Sequence, residues 1–167
     1  MLDPILPRRL PRSVARLDAA INRLFGARYN PIYQSGTIVV VLWILLLITG
    51  LWLLLYYRIA APWQSVAEIT ASPWIGRWIR GAHRYASDGA VVATVAHAGR
   101  IFLQRRTWGP RTLAWVTGLV LFGVVLVSGW TGFVLVWDGF GQRLAVESAR
   151  LFDVLPFLSE PLQRAFV

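Results

Sequence analysis

The sequence predicts an all-α membrane protein, with three transmembrane helices and amphipathic surface helices at both ends. Apolar residues make up 56% of the 167-residue chain and charged residues only 15%, whereas about a quarter of a soluble domain is charged. The apolar residues also lie in uninterrupted runs, and the first, Gly36 to Tyr57, holds 22 residues without a charge. That length crosses ~30 Å of hydrocarbon. The positive charge, finally, flanks these runs. Of 17 arginines (there is no lysine), six precede residue 30 and four fall between Arg100 and Arg111. A membrane surface accounts for this pattern, and for the net charge of +9, better than nucleic acid does.

Residues 1–11 contain three prolines and read as an irregular tail without the apolar core or cleavage site of a signal peptide. Val14, Leu17, Ile21, Leu24 and Phe25 then recur at helical spacing between Ser13, a candidate N-cap, and Ala27. This is an amphipathic helix for the cytoplasmic membrane surface or for a partner subunit. Gly36 to Tyr57 is the first span, with aromatics toward its ends as in interfacial belts. The loop to Arg80 contains Pro62, Pro73 and Gly76, which break it into short surface helices. A second span runs from about Gly81 to Leu103. It is less apolar and carries His83, Arg84, Asp88 and His97, and polar groups within a span mark a buried functional face. Leu113 to Trp137 is the third span. Beyond Asp138 the chain is too charged to span and reads as surface helices broken at Pro156 and Pro161. The domain division is an N-terminal tail and surface helix over 1–35, a membrane domain over 36–137 and surface helices over 138–167. The arginine distribution puts the N-terminus and the 100–111 loop on the cytoplasmic side. The 58–80 loop, which holds Arg58, Arg77 and Arg80, falls on the positive side with the C-terminal tail.

The sequence has no cysteine, which excludes disulfides, iron–sulfur clusters, thioether-linked haem and cysteine zinc sites within it. Metal ligation is left to carboxylates, one methionine and two histidines. His83 and His97 stand 14 residues apart on the second span, close to four turns and ~21 Å of rise, so they project from nearly one face at opposite depths. One metal cannot be reached by both. Two cofactors can, and neutral imidazole is a standard axial ligand of haem iron. Two hydrogen-bonded histidines of a helix bundle, or a proton path, would leave the same trace. Gly36 and Gly50 in the first span, and Gly118 and Gly132 in the third, repeat the 14-residue interval. Glycine admits a flat macrocycle where a side chain would clash, although small residues also serve close helix packing. Arg80 and Arg84 flank His83, Arg100 follows His97, and Arg111 opens the third span. Guanidinium there suits propionates, or else snorkels to the membrane surface. Asp88 is placed to pair with Arg84 one turn away.

Ile79-Arg80-Gly81-Ala82-His83-Arg84-Tyr85, His97 with Arg100, Pro110 through Gly118, Gly129-Trp130-Thr131-Gly132 and Trp137-Asp138 together resemble the cytochrome b of Rieske/cytochrome b complexes. The likeness is closest to the short, plastoquinol-oxidising form and runs from about residue 13 to 167. It implies a four-helix bundle that holds two haem b groups, with quinol as substrate. His83 would ligate the haem near the positive side, beside Arg80 and Arg84. His97 would ligate the cytoplasmic-side haem, beside Arg100 and Arg111. It also implies an energy-transducing membrane such as a bacterial inner membrane, with a Rieske iron–sulfur protein and cytochrome c subunits as partners. Three departures accompany the likeness. The family's fourth helix, with the opposite axial histidines, has no counterpart, so a split form is expected in which a second cytochrome b polypeptide supplies it. Val136-Trp137 stands where the family has Pro-Trp, in the region of the positive-side quinone pocket. Tyr33-Gln34-Ser35-Gly36 lacks the cysteine that tethers an extra haem in plastoquinol-oxidising members, so no covalent haem c is expected. The alternatives are a diheme anchor of another quinone-linked oxidoreductase and a haem-free structural anchor.

Overall fold

The computed structural model describes residues 12–104 and 107–152. The proline-rich tail and the breaks at Pro156 and Pro161 lie outside them. Every regular element among the described residues is helical: α1 (Arg12–Phe25), α2 (Ser35–Tyr56), α3 (Pro62–Ala71), α4 (Gly76–Leu103), α5 (Thr112–Val136) and α6 (Gly139–Phe152), with short 3-10 turns at Ala27–Tyr29 and Gly109–Arg111. Two stretches are long and apolar enough to cross a membrane, Ser35–Tyr56 and Gly109–Val136, and both are almost wholly exposed. Soluble core helices of such composition would be covered, so lipid is the medium that suits them. The α4 helix is long enough, at 28 residues, but its charges keep it below the same threshold.

By contacts the chain divides into two compact units, one of the chain up to Ile48 with His83–Val125, the other of Thr49–Ala82 with the chain from Leu126.

In the first unit, α1 runs Arg12–Phe25 and so includes Ser13. Gly26, at φ 74°, ends it. Asn30 is wholly buried in the turn that follows. Its amide donates to Asn22 Oδ1 at 2.8 Å, and its own Oδ1 accepts the Ile32 N–H at 2.9 Å. These bonds replace the water that a buried amide loses. Within this unit α2 and α4 pack antiparallel. Ser35 meets His97 and Ile32 meets Arg100, the Leu42 side chain faces Gly89, and Leu46 hydrogen-bonds His83 through its backbone. The α4 face in this contact is built of small residues. Ala86 and Ala90 are buried at helical spacing between the two histidines.

In the second unit, Pro62 opens α3 at a position where its missing N–H costs nothing. The α4 helix begins at Gly76, five residues before the Gly81 expected, so Arg77 and Arg80 lie in helix rather than loop. Pro73 does stop the preceding helix, but Gly76 is a packing residue and not a breaker. A Cβ there would overlap the Ile69 carbonyl oxygen. At the end of α5, Trp137 takes φ 53° and turns the chain. Asp138 then caps α6 by accepting the N–H groups of Phe140 at 3.1 Å and Gly141 at 2.7 Å. The Trp130 indole donates to Ser148 Oγ at 2.8 Å, which ties α5 to α6.

Candidate cofactor site

The α2–α4 register sets the orientation of both histidines. Ser35 Oγ lies 3.0 Å from His97 Nδ1, and Ser35 is buried. The next residue, Gly36, lies under the same ring, and a Cβ there would stand 2.9 Å from His97 Cε1. Gly36 thus makes room for the imidazole itself. With Nδ1 held by Ser35, Nε2 makes no hydrogen bond among the described residues, and an imidazole so held keeps one nitrogen for a metal. His83 is half-buried, and its ring is held by the backbone of Leu46, one turn before Gly50.

His97 opens on a cavity of about 470 Å³ that also brings together Arg100, Arg111 and Gly118, with Ile101, Ala114, Trp115, Leu119 and Phe122 as apolar wall. The size is that of a small-molecule or cofactor site, ~300–1,000 Å³. A Cβ on Gly118 would meet nothing within 4 Å, so this glycine is not required by helix packing and leaves the wall flat. Arg100 is partly committed. Its Nη1 donates to the Ile32 and Tyr33 carbonyls at 2.7 and 2.9 Å, and its guanidinium lies 4.6 Å from the Tyr33 ring centroid. Arg111 is exposed and makes no hydrogen bond or ion pair among the described residues. An imidazole, two guanidiniums and an apolar wall with a glycine in it are groups that could hold a flat, metal-bearing macrocycle with carboxylate substituents.

Four of the ten residues expected from sequence therefore meet in one cavity, and Gly36 touches it through His97. Arg80, Arg84, Gly50 and Gly132 do not join this cavity. The expected Arg84–Asp88 pair does not form. The ion pairs among the described residues are Arg58–Glu68 at 2.6 Å and Arg150–Glu147 at 2.9 Å, all exposed and each worth at most ~1 kcal/mol. Sequence reading missed Ser35, Tyr33 and Leu46. A hydroxyl directly before a helix-opening glycine was the one visible signal, and it reads equally well as a cap.

Fold and site define a helical membrane protein with an imidazole-bearing cofactor cavity. A family model described as cytochrome b/b6/petB matches residues 21–165. Cytochrome b6 of Porphyra purpurea is 34% identical over 136 residues, covering 80% of this chain and 63% of that protein. Cytochrome b6 of Synechococcus sp. (strain JA-3-3Ab) is 31% identical over 148 residues, covering 87% and 69%. The chain belongs to the cytochrome b/b6 family and spans about two thirds of the length of these relatives.

Proposed function

We propose that this chain carries electrons across the membrane through two b-type haems of a quinol-oxidising cytochrome b complex and provides one axial histidine to each. The observation that carries this is the cavity where His97, Arg100, Arg111 and Gly118 meet. His97 would hold the haem iron through Nε2, Arg111 and the free edge of Arg100 would neutralise the propionates, and Gly118 would leave room for the macrocycle. His83 would hold the second haem, four helical turns away on α4. Bound haem supplies one-electron transfer between ferric and ferrous iron. His83 and His97 would hold separate haems, since ~21 Å along α4 exceeds any shared coordination shell.

Three spans follow from this reading, α4 being the third. Its arginines lie near its two ends or beside His83, where propionates and headgroups offset their cost. The sequence holds two histidines, one per haem, so the opposite ligands come from other histidines of the complex, in which Rieske and cytochrome c subunits are the partners. The N-terminus and the loop before α5 face the cytoplasm.

A reduced-minus-oxidised spectrum of the chain purified with its native partners tests the proposal. Two b-type haems per copy are expected, and a complex without b haem sinks it. Val136, in place of the family's proline, favours a second reading, a diheme anchor for another quinone-linked enzyme. A Rieske protein among the copurifying subunits rejects that alternative.

A further inference from the structure

We infer that Ser35 is a positioning residue for His97, and that its hydroxyl sets the ligand strength of that imidazole separately from His83. The inference rests on the proposed ligation by His97. Four observations converge on it. Ser35 Oγ and His97 Nδ1 are 3.0 Å apart across 62 residues of sequence. Ser35 is buried, so water does not compete for the bond. Gly36 meets the ring at Cε1, where even a methyl group would overlap it. The Ile32 and Tyr33 carbonyls are clamped to Arg100, one turn beyond His97, so the strand of chain that carries Ser35 is fixed to the same stretch of α4.

The chemistry follows from valence. When Nε2 coordinates a metal, Nδ1 carries the proton, and Ser35 Oγ must accept it. That bond fixes the tautomer and the ring plane, and it shifts electron density toward the metal, as partners of ligating histidines do generally. Electron-rich imidazole favours ferric over ferrous iron, so the bond lowers the midpoint potential of the haem that His97 serves. His83 is held instead by the backbone of Leu46, which no substitution of a side chain removes. The two ligands of α4 are thus tuned by different means, and only that of His97 is open to change by a single side-chain replacement.

The test is a redox titration of the native complex carrying Ser35→Ala or Ser35→Thr, with low-temperature EPR of the oxidised haems. In Ser35→Ala one b haem should rise in midpoint potential and broaden in its EPR signal, while the other keeps both values. Ser35→Thr, which restores the hydroxyl, should return both values toward the original. A purely structural role predicts equal disturbance of both haems or reduced assembly without a shift. Either result, or an unmoved potential in Ser35→Ala, overturns the inference while the two-haem reading stands. An unsubstituted complex that shows no two separately titrating b haems overturns that reading and this inference with it.

Discussion

The two histidines of α4 occupy unlike settings. His97 is held by a side-chain hydroxyl, lies on a glycine and faces a cavity with two arginines at its rim. His83 is held by a main-chain group of Leu46. One helix with a 14-residue interval therefore presents the same chemical group in two ways. At His97 the surroundings are side chains that evolution can exchange one at a time. At His83 the tether is backbone, and the surrounding chain must move as a unit. The difference teaches that a repeated spacing reports where ligands lie but not how each is held.

The largest expected effect separates the two directly. His97→Ala should eliminate one b haem and leave the other spectrally present, and His83→Ala should do the reverse. The check is a potentiometric titration of each variant. Loss of the same spectral component in both would falsify separate ligation. Some loss of assembly accompanies each change, because the truncated side chain leaves a gap against its neighbours.

A smaller effect comes from the glycines. Gly118→Ala meets open space in the bare chain and should leave helicity and membrane insertion unchanged. It should nevertheless lower haem occupancy by about tenfold, ~1.4 kcal/mol of binding, because the methyl group occupies the wall on which the macrocycle lies. Gly36→Ala should act differently. Its methyl group would displace the His97 ring from Ser35 even without cofactor, and its signature is a changed EPR line shape at any residual occupancy. If pyridine haemochrome assays find full haem in Gly118→Ala, the cavity is not where the macrocycle sits.

Much of this was legible in the sequence, for identifiable reasons. The α2 and α5 helices announce themselves because charge is absent over whole membrane-length runs, and their observed limits, Ser35–Tyr56 and Thr112–Val136, fall within a residue of expectation. The start of α4 was misjudged because Gly76 was weighed by propensity alone, whereas its role is to let α4 approach Ile69. Residue chemistry and spacing singled out His97, Arg100, Arg111 and Gly118, and the resemblance set the two arginines beside His97, but only the fold brings Gly118 to the same cavity. Ser35 was not singled out, since nothing local distinguishes a hydroxyl at a helix start. Only the antiparallel register of α2 on α4 brings it to His97. The Arg84–Asp88 pair failed for the opposite reason. Correct i, i+4 spacing permits a contact, but Arg84 and Asp88 are both exposed in the bare chain and nothing packs them together.

The smallest effect concerns the two rim arginines, which sequence places on equal terms and the structure does not. Arg100 spends one nitrogen on the Ile32 and Tyr33 carbonyls and lies over the Tyr33 ring, while Arg111 has no such ties. Arg111→Ala should therefore leave the thermal stability of the complex unchanged and modestly lower the midpoint potential of the His97-side haem, since it removes only a charge from beside the propionates. A nearby cation stabilises the reduced, more negative haem, so its loss alone lowers the potential. A rise occurs only if the freed propionate takes up a proton, which at neutral pH the solvent-exposed rim does not favour. The net expectation is thus a modest lowering that fades as salt is added. Arg100→Ala should combine a similar lowering with destabilisation of about 1 kcal/mol from the lost bonds to the carbonyls, together with a broadened His97-side EPR signal, because the clamp that holds Ser35 near His97 is gone. Equal behaviour of the two variants in melting and EPR would show that the Arg100 clamp does not hold the His97 end of α4 in place.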